Sequence, residues 1–421
     1  MMRLSSSALL KIAAFGLLLA CAARASAQFT GNPAFEQFAD AQSDRLMAAY
    51  ENRDTKSYQE LLGAFLAKYR QLKPDEQKRY AYYYTNAYYN LACTYSLLNE
   101  KSPALENLEK AIKGGYFDYA HMMVDSDLDN IRREARFVEL VQPLREIGDY
   151  GYILKKAGAY NLADQRPLPE FTYQPADNPN LLALRKGFNL DSIAGTGNEV
   201  SRILNLLHWV HNLIPHDGNH GNPEVKNAMN MIAVCKQENR GLNCRGLATV
   251  LNECYLALGF KSRFVTCLPK DSLKVDPDCH VINAVYSNTL NKWLWIDPTN
   301  DAYVMNEQGE LLSIEEVRER IINGKPLILN PDANWNRRES TTKEDYLYRY
   351  MAKNLYLLQC NVNSEYDTET HMNGKTITTI TLCPLDYYDQ KPDRKEVLNK
   401  ESNTTFVHYK TNNPAAFWKA P

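Results

Sequence analysis

The chain has no surplus of charge of either sign. Its 48 Lys and Arg face 50 Asp and Glu, a net charge of −2 over 421 residues. That balance supplies no basic field for nucleic acid or for an anionic membrane surface. After the first 27 residues no apolar run reaches the length of a bilayer span, so no transmembrane helix is expected. The nine cysteines form no paired Cys-x-x-Cys pattern, which argues against a structural zinc site. The sequence also has no His-Glu-x-x-His and nothing that reads as a calcium loop, so neither a metal nor another cofactor is expected. With 44% apolar and 23% charged residues, what remains is an ordinary globular composition, long enough for two or three domains.

The first 27 residues read as a targeting segment. Arg3 and Lys11 supply positive charge, Ile12–Ala20 is a short apolar core, and Ala25-Ser26-Ala27 is a small-residue cleavage site before Gln28. A second reading uses Leu18-Leu19-Ala20-Cys21, which resembles a bacterial lipoprotein box. Cleavage after Ala27 is the preferred reading. It makes the protein periplasmic or extracellular, and a membrane enters only if Cys21 carries lipid. Export permits disulfides. Cys93 and Cys254 lie on apolar helix faces and read as buried thiols, whereas Cys267 and Cys279 are candidates for a bridge.

Residues 28–150 read as helical, with amphipathic stretches at Asp44–Tyr50 and Ser57–Tyr69. Tyr88, Leu91, Ala92, Tyr95, Ala104, Leu108 and Ala111 have the spacing of a tetratricopeptide repeat. Small Ala92 and Ala104 stand where two helices would cross, Asn99–Ser102 is the turn, and Gly114-Gly115 ends the second helix. One repeat does not make a solenoid. The region serves either as a docking surface for a protein partner or as a helical cap. Residues 151–185 include Pro167, Pro169, Pro175 and Pro179, and are expected to be a linker or an extended strap.

The chemistry is expected in residues 186–340. Asn243 is a good N-cap, and Leu247, Val250, Leu251, Cys254, Tyr255 and Leu258 form one helical face that stops at Gly259. Cys244 then sits in the first helical turn, where unpaired N–H groups and the helix dipole favour a thiolate. Val281–Tyr286 and Trp293–Ile296 are β-rich runs around a polar turn. An antiparallel pair sets His280 and Asp297 at the same end of the hairpin, as a Cys–His–Asp triad requires.

Gly241–Phe264, the His280 strand and Asp297-Pro298-Thr299 together resemble the core of the transglutaminase-like superfamily. The resemblance covers roughly 190–335. It implies a papain-like α+β fold, with an antiparallel sheet packed on the catalytic helix. It also implies a nucleophile at Cys244, a general base at His280 and an orienting acid at Asp297. Gln237, seven residues before Cys244, is a candidate oxyanion donor. The loop Pro215–Pro223 is polar and precedes the cysteine helix. Its His216 and Asn219 are candidate oxyanion or substrate contacts at the cleft. Trp209 lies within the helical pattern of Glu199–Leu213 and reads as core. His208, His211, His216 and His220 invite a metal reading, but a solvated loop beside the site accounts for them better.

Residues 341–421 read as a C-terminal extension. It has a helix over Lys343–Leu358 and strands at Tyr356–Asn363 and Lys375–Leu382, with Asn373-Gly374 as turn chemistry and little signal in the last twenty residues. The expected function is an exported cysteine enzyme that hydrolyses an amide in a peptide or the cell wall. Two alternatives are carried: a non-catalytic module that binds peptide or glycan, and a transglutaminase that accepts an amine.

Overall fold

Residues 32–270, 278–385 and 394–421 are described by a computed structural model. The expected leader, with Cys21, lies outside them. The chain divides into two compact units, one ending at Asp149 and the other running from Tyr150 to Pro421.

The described part of the first unit is helical. Its principal helices are Pro33–Glu51, Thr55–Tyr69, Ala81–Leu97 and Lys101–Lys113. Ala92 and Ala104 are fully buried where the last two helices pack together. Four of its tyrosines, Tyr50, Tyr80, Tyr83 and Tyr89, place their hydroxyls on acids. Tyr83 reaches Asp40 at 2.8 Å, and Tyr89 reaches Asp125 at 2.8 Å. Burial of such a ring is favourable only when its hydroxyl finds a partner.

A seven-stranded sheet organises the second unit. Its strands are β1 (Ser262–Leu268), β2 (His280–Ser287), β3 (Lys292–Ile296), β4 (Leu357–Asn361), β5 (Thr376–Leu382), β6 (Arg394–Asn399) and β7 (Thr404–Thr411), in the order β6-β7-β5-β4-β1-β2-β3. The sheet is not purely antiparallel as expected, because β7 slots between its hairpin partner β6 and β5 and runs parallel to β5.

One face of the sheet carries the helix Cys244–Ala257. Asn283 donates to the Ala248 carbonyl at 2.9 Å, and Val285 packs with Leu247, Val250 and Leu251. The opposite face carries Ile282, Ala284 and Trp295, packed with Val317, Leu347 and Leu355. The alternation of side chains along β2 separates these two cores.

Residues 151–185, expected to be a linker or an extended strap, belong to the second unit and begin and end in the helices Tyr150–Lys156 and Pro179–Gly187. Ile153 and Leu154 enter its main core, Asn161 N–H donates to Asn412 O, and Thr172–Tyr173 pairs in parallel with Asn363–Ser364. Residue 340 is no boundary, because β4 pairs directly with β1, Val265 opposite Cys360. The final twenty residues include β7 and the short helix Pro414–Phe417, whose Phe417 is fully buried.

The Lys343–Leu358 stretch is not one α-helix. Glu344–Met351 is a π-helix, Ala352–Asn354 closes it, and β4 starts at Leu357. Asn373-Gly374 is a turn, with Gly374 at φ +76°, but it closes a longer excursion between β4 and β5.

Candidate active site

Cys244 is the first residue of its helix. The Asn243 side chain caps it, accepting from Gly246 N–H at 3.1 Å. Asn222 clamps the cap from outside. Its Nδ2 donates to Asn243 Oδ1 at 2.7 Å, and its Oδ1 accepts from Asn243 N–H at 3.2 Å. The clamp fits because residue 246 is glycine: a Cβ there would stand 2.6 Å from Asn222 Oδ1. As the first helical residue, Cys244 has an N–H with no acceptor inside the helix.

β2 and β3 bring the other two groups together. Asn283 lies opposite Ile296, so the next step of the ladder sets Asp297 opposite Ile282, on the face of the sheet that carries His280. His280 Nε2 lies 2.7 Å from Asp297 Oδ2, and both side chains are buried. The other ring nitrogen of His280 is thereby left for the thiol.

Asp297 is held by four groups. Besides His280, Oδ2 accepts from Tyr346 OH at 2.6 Å and from Asn300 Nδ2 at 3.1 Å, while Oδ1 accepts from Thr299 N–H at 2.8 Å. Burial opposes its ionisation, but His280 and these donors keep the carboxyl below its ordinary range.

Burial pushes the Cys244 thiol up, yet hydrogen bonding to His216 and to His280 outweighs it and brings the thiol down to about 6. Burial likewise pushes His280 down, while the Asp297 charge and hydrogen bond, together with Cys244, raise it to about 10. The two groups titrate as a pair. Between those values the pair is a thiolate beside an imidazolium, the reactive form of cysteine.

The Pro215–Pro223 loop lies alongside the segment leading into the cysteine helix. His216 bridges to Leu242, Asp217 N–H donates to Leu242 O at 2.7 Å, and Leu242 N–H donates to Pro215 O at 3.1 Å. Asn219 is exposed and its N–H serves only to turn the loop, donating to Asp217 Oδ1 at 2.9 Å. Gln237 is exposed in the last turn of the helix Ala228–Glu238, and it is His216 that stands beside the thiol.

The remaining histidines have structural partners. His208 meets Asp301 at 2.7 Å, and that hydrogen bond raises its pKa. His211 reaches the Pro298 carbonyl at 3.0 Å and Asn334 Oδ1 at 2.9 Å. His208 and His211 thus brace the turn that follows Asp297. His220 pairs with Asp217. Among the described residues no group of three His, Cys, Asp or Glu converges as a metal site. Trp209 is half-buried against Phe188.

Tyr346 and Tyr350 also belong to the site, although the sequence marks them only as part of the helix expected over Lys343–Leu358. Tyr346 holds Asp297. The Tyr350 ring stands edge-on to His280 at 5.2 Å, with its hydroxyl 3.1 Å from Asp278 Oδ2. Their spacing of four residues was visible, but only the fold shows that it faces the carboxylate. The Cys267–Cys279 bridge does not form, and both are free thiols. Cys267 lies opposite His280 and so points to the same face as His280.

Residues 187–298 match the model of the transglutaminase-like superfamily, and this segment forms a transglutaminase-like domain. Cys244, His280 and Asp297 all fall inside it. Among curated proteins, a chloroplastic protein of Arabidopsis thaliana is 40% identical over 60 residues. That stretch is 14% of this chain and 18% of that protein, so the chain spans under a fifth of this relative. Among solved structures, the "Putative Cysteine Protease from Cytophaga hutchinsonii" is 15% identical at a TM-score of 0.23. That alignment covers 42% of this chain and 65% of the other, and at that score the likeness has no bearing on the fold.

Proposed function

We propose that the transglutaminase-like domain is a cysteine acyl-transfer enzyme whose reaction is the hydrolysis of an amide, with Cys244 as nucleophile, His280 as base and Asp297 as its orienting acid. One observation carries the reading: a thiol at a helix N-terminus, brought down to about 6, beside a histidine bound to a buried carboxylate at 2.7 Å.

The thiol proton resides on His280 while the Cys244 sulfur attacks the amide carbonyl carbon. The tetrahedral intermediate collapses as His280 passes that proton to the departing nitrogen, leaving a thioester on Cys244. His280 then takes a proton from water, which attacks the thioester and restores the thiol. Asp297 keeps the imidazole in one tautomer throughout. The choice of water over an amine as acceptor, and of a peptide or cell-wall amide as substrate, rests on analogy with bacterial proteins of this class. The leader is proposed to direct export and to be removed after Ala27, with lipidation at Cys21 as its alternative. The helical hairpin Ala81–Lys113, which has the tetratricopeptide spacing, is proposed as the surface for a protein partner.

The test is a panel of peptide and muropeptide amides turned over by the wild type and by Cys244→Ala. Release of amine by the wild type alone supports the reading. Turnover that survives in Cys244→Ala overturns it, and binding without turnover by either protein favours a non-catalytic module.

A further inference from the structure

His216 has no place in the triad, yet its side chain lowers the Cys244 thiol and its backbone is paired with Leu242, two residues before Cys244. Its environment is the reverse of that of His280. The far nitrogen of His280 meets a carboxylate, whereas Nδ1 of His216 meets the indole Nε1 of Trp335 at 3.3 Å. An indole nitrogen only donates. His216 Nδ1 is therefore an acceptor and carries no proton, so the ring proton of the uncharged imidazole stays on Nε2. With Nδ1 occupied as an acceptor, Nε2–H is the one ring donor left to face the site.

The backbone that carries the ring is fixed as well. His216 N–H donates to Asn336 Oδ1 at 2.6 Å, and Asn336 Nδ2 returns a bond to His216 O at 2.9 Å. The neighbouring pairs with Leu242 tie the loop to the chain two residues before Cys244. A donor held from two sides does not reorganise as charge develops, which is the condition for strong stabilisation of an oxyanion.

We propose that His216 Nε2–H is an oxyanion donor of this site, acting with the Cys244 N–H, and that Trp335 is the positioning residue that keeps the proton on that nitrogen. The inference rests on the acyl-transfer reading above and deepens it. As the Cys244 sulfur bonds to the carbonyl carbon, the π pair of the carbonyl moves onto its oxygen. The oxygen then accepts from the Cys244 N–H and His216 Nε2–H. When the pair returns, the bond to the leaving nitrogen breaks and His280 delivers the proton to that nitrogen. His216 gives up no proton at any stage.

The experiment compares two reactions of Cys244 in the full-length protein. Acylation by 4-nitrophenyl acetate passes through an oxyanion, whereas alkylation by iodoacetamide displaces iodide and does not. Each variant is measured at a pH on the plateau of its own alkylation profile, so that thiolate content is matched. His216→Ala is expected to slow acylation about 10²-fold, within the range for loss of one such donor, and to leave alkylation within about threefold of the wild type. His216→Gln, which retains an amide N–H, is expected to recover at least part of the loss. Trp335→Phe is expected to lose about tenfold in acylation only, an estimate below the cost of losing the donor itself. Alkylation also serves as the folding control. Parallel losses in both reactions, or acylation at the wild-type rate in His216→Ala, would overturn the inference and leave the triad standing. A wild type alkylated no faster at Cys244 than at its other thiols would overturn the acyl-transfer reading, and this inference with it.

Discussion

The Tyr346 hydroxyl donates to Asp297 Oδ2 at 2.6 Å, on the same oxygen that faces His280. It also accepts from the Trp295 indole at 3.1 Å. Tyr346→Phe removes one donor from the carboxylate and leaves a buried indole N–H without its acceptor. The first loss is expected to lower kcat/KM about tenfold, the scale of one hydrogen bond to a charged group. The second is expected to cost about 1–3 kcal/mol of stability, read from the urea midpoint. Unchanged kcat/KM in a destabilised protein would reduce Tyr346 to a core residue.

The thiol and imidazole set a window of pH. Cys244 protonates below about 6 and His280 loses its proton above about 10, so alkylation and turnover are expected to rise through the lower value. Turnover should fall again through the upper value, because the acid that protonates the leaving group is lost. In His280→Ala the thiol loses one of the two partners that lower it, so the rise in alkylation should move toward the ordinary thiol value of 9.0. An unshifted profile would mean that His280 does not act on the thiol.

Gly246→Ala sets two effects against each other. Alanine in a helix interior usually gains up to about 1 kcal/mol over glycine. Here its Cβ would stand 2.6 Å from Asn222 Oδ1, and overpacking of that kind costs about 1–3 kcal/mol. The clash is expected to win. A lower Tm with slower alkylation of Cys244 would report displacement of the Asn222–Asn243 clamp, and a raised Tm would show that Asn222 yields freely.

Glu253 lies buried on the cysteine helix, where it accepts from Ala228 N–H at 2.7 Å and Asp367 N–H at 2.9 Å. Burial, the largest cause, raises its carboxyl from 4.5 to about 8. A group raised in this way adds stability at pH below its unfolded value, and the contribution is lost as pH rises through about 8. Between pH 5 and 9 the wild type should therefore lose more stability than Glu253→Gln, whose amide stays neutral. Parallel urea midpoints across that range would contradict this.

The readable parts of the site are local in sequence. Asn243, Cys244 and Gly259 declare the limits of their helix within one short segment, and the observed helix is Cys244–Ala257 with Asn243 as its cap. The hairpin around Asn291, which takes φ +51°, is equally local. What escaped is held by long-range contacts. Tyr346 is 49 residues from Asp297, and Trp335 is 119 from His216. Neither pairing leaves a periodic mark. The stretch Lys343–Leu358 reads as an α-helix, and nothing local in it marks the π-helix that forms over Glu344–Met351. β7 went unread because its partners, β5 and β6, are set by sheet order rather than by its own sequence.

The proposed chemistry stands on an activated thiolate at Cys244 that depends on His280. Intact-mass labelling with iodoacetamide at neutral pH tests it most directly, comparing the wild type with Cys244→Ala and His280→Ala. One rapid modification is expected in the wild type, absent in Cys244→Ala and markedly slowed in His280→Ala. Slow labelling spread over several thiols, or labelling of Cys244 at the same rate with and without His280, would contradict it.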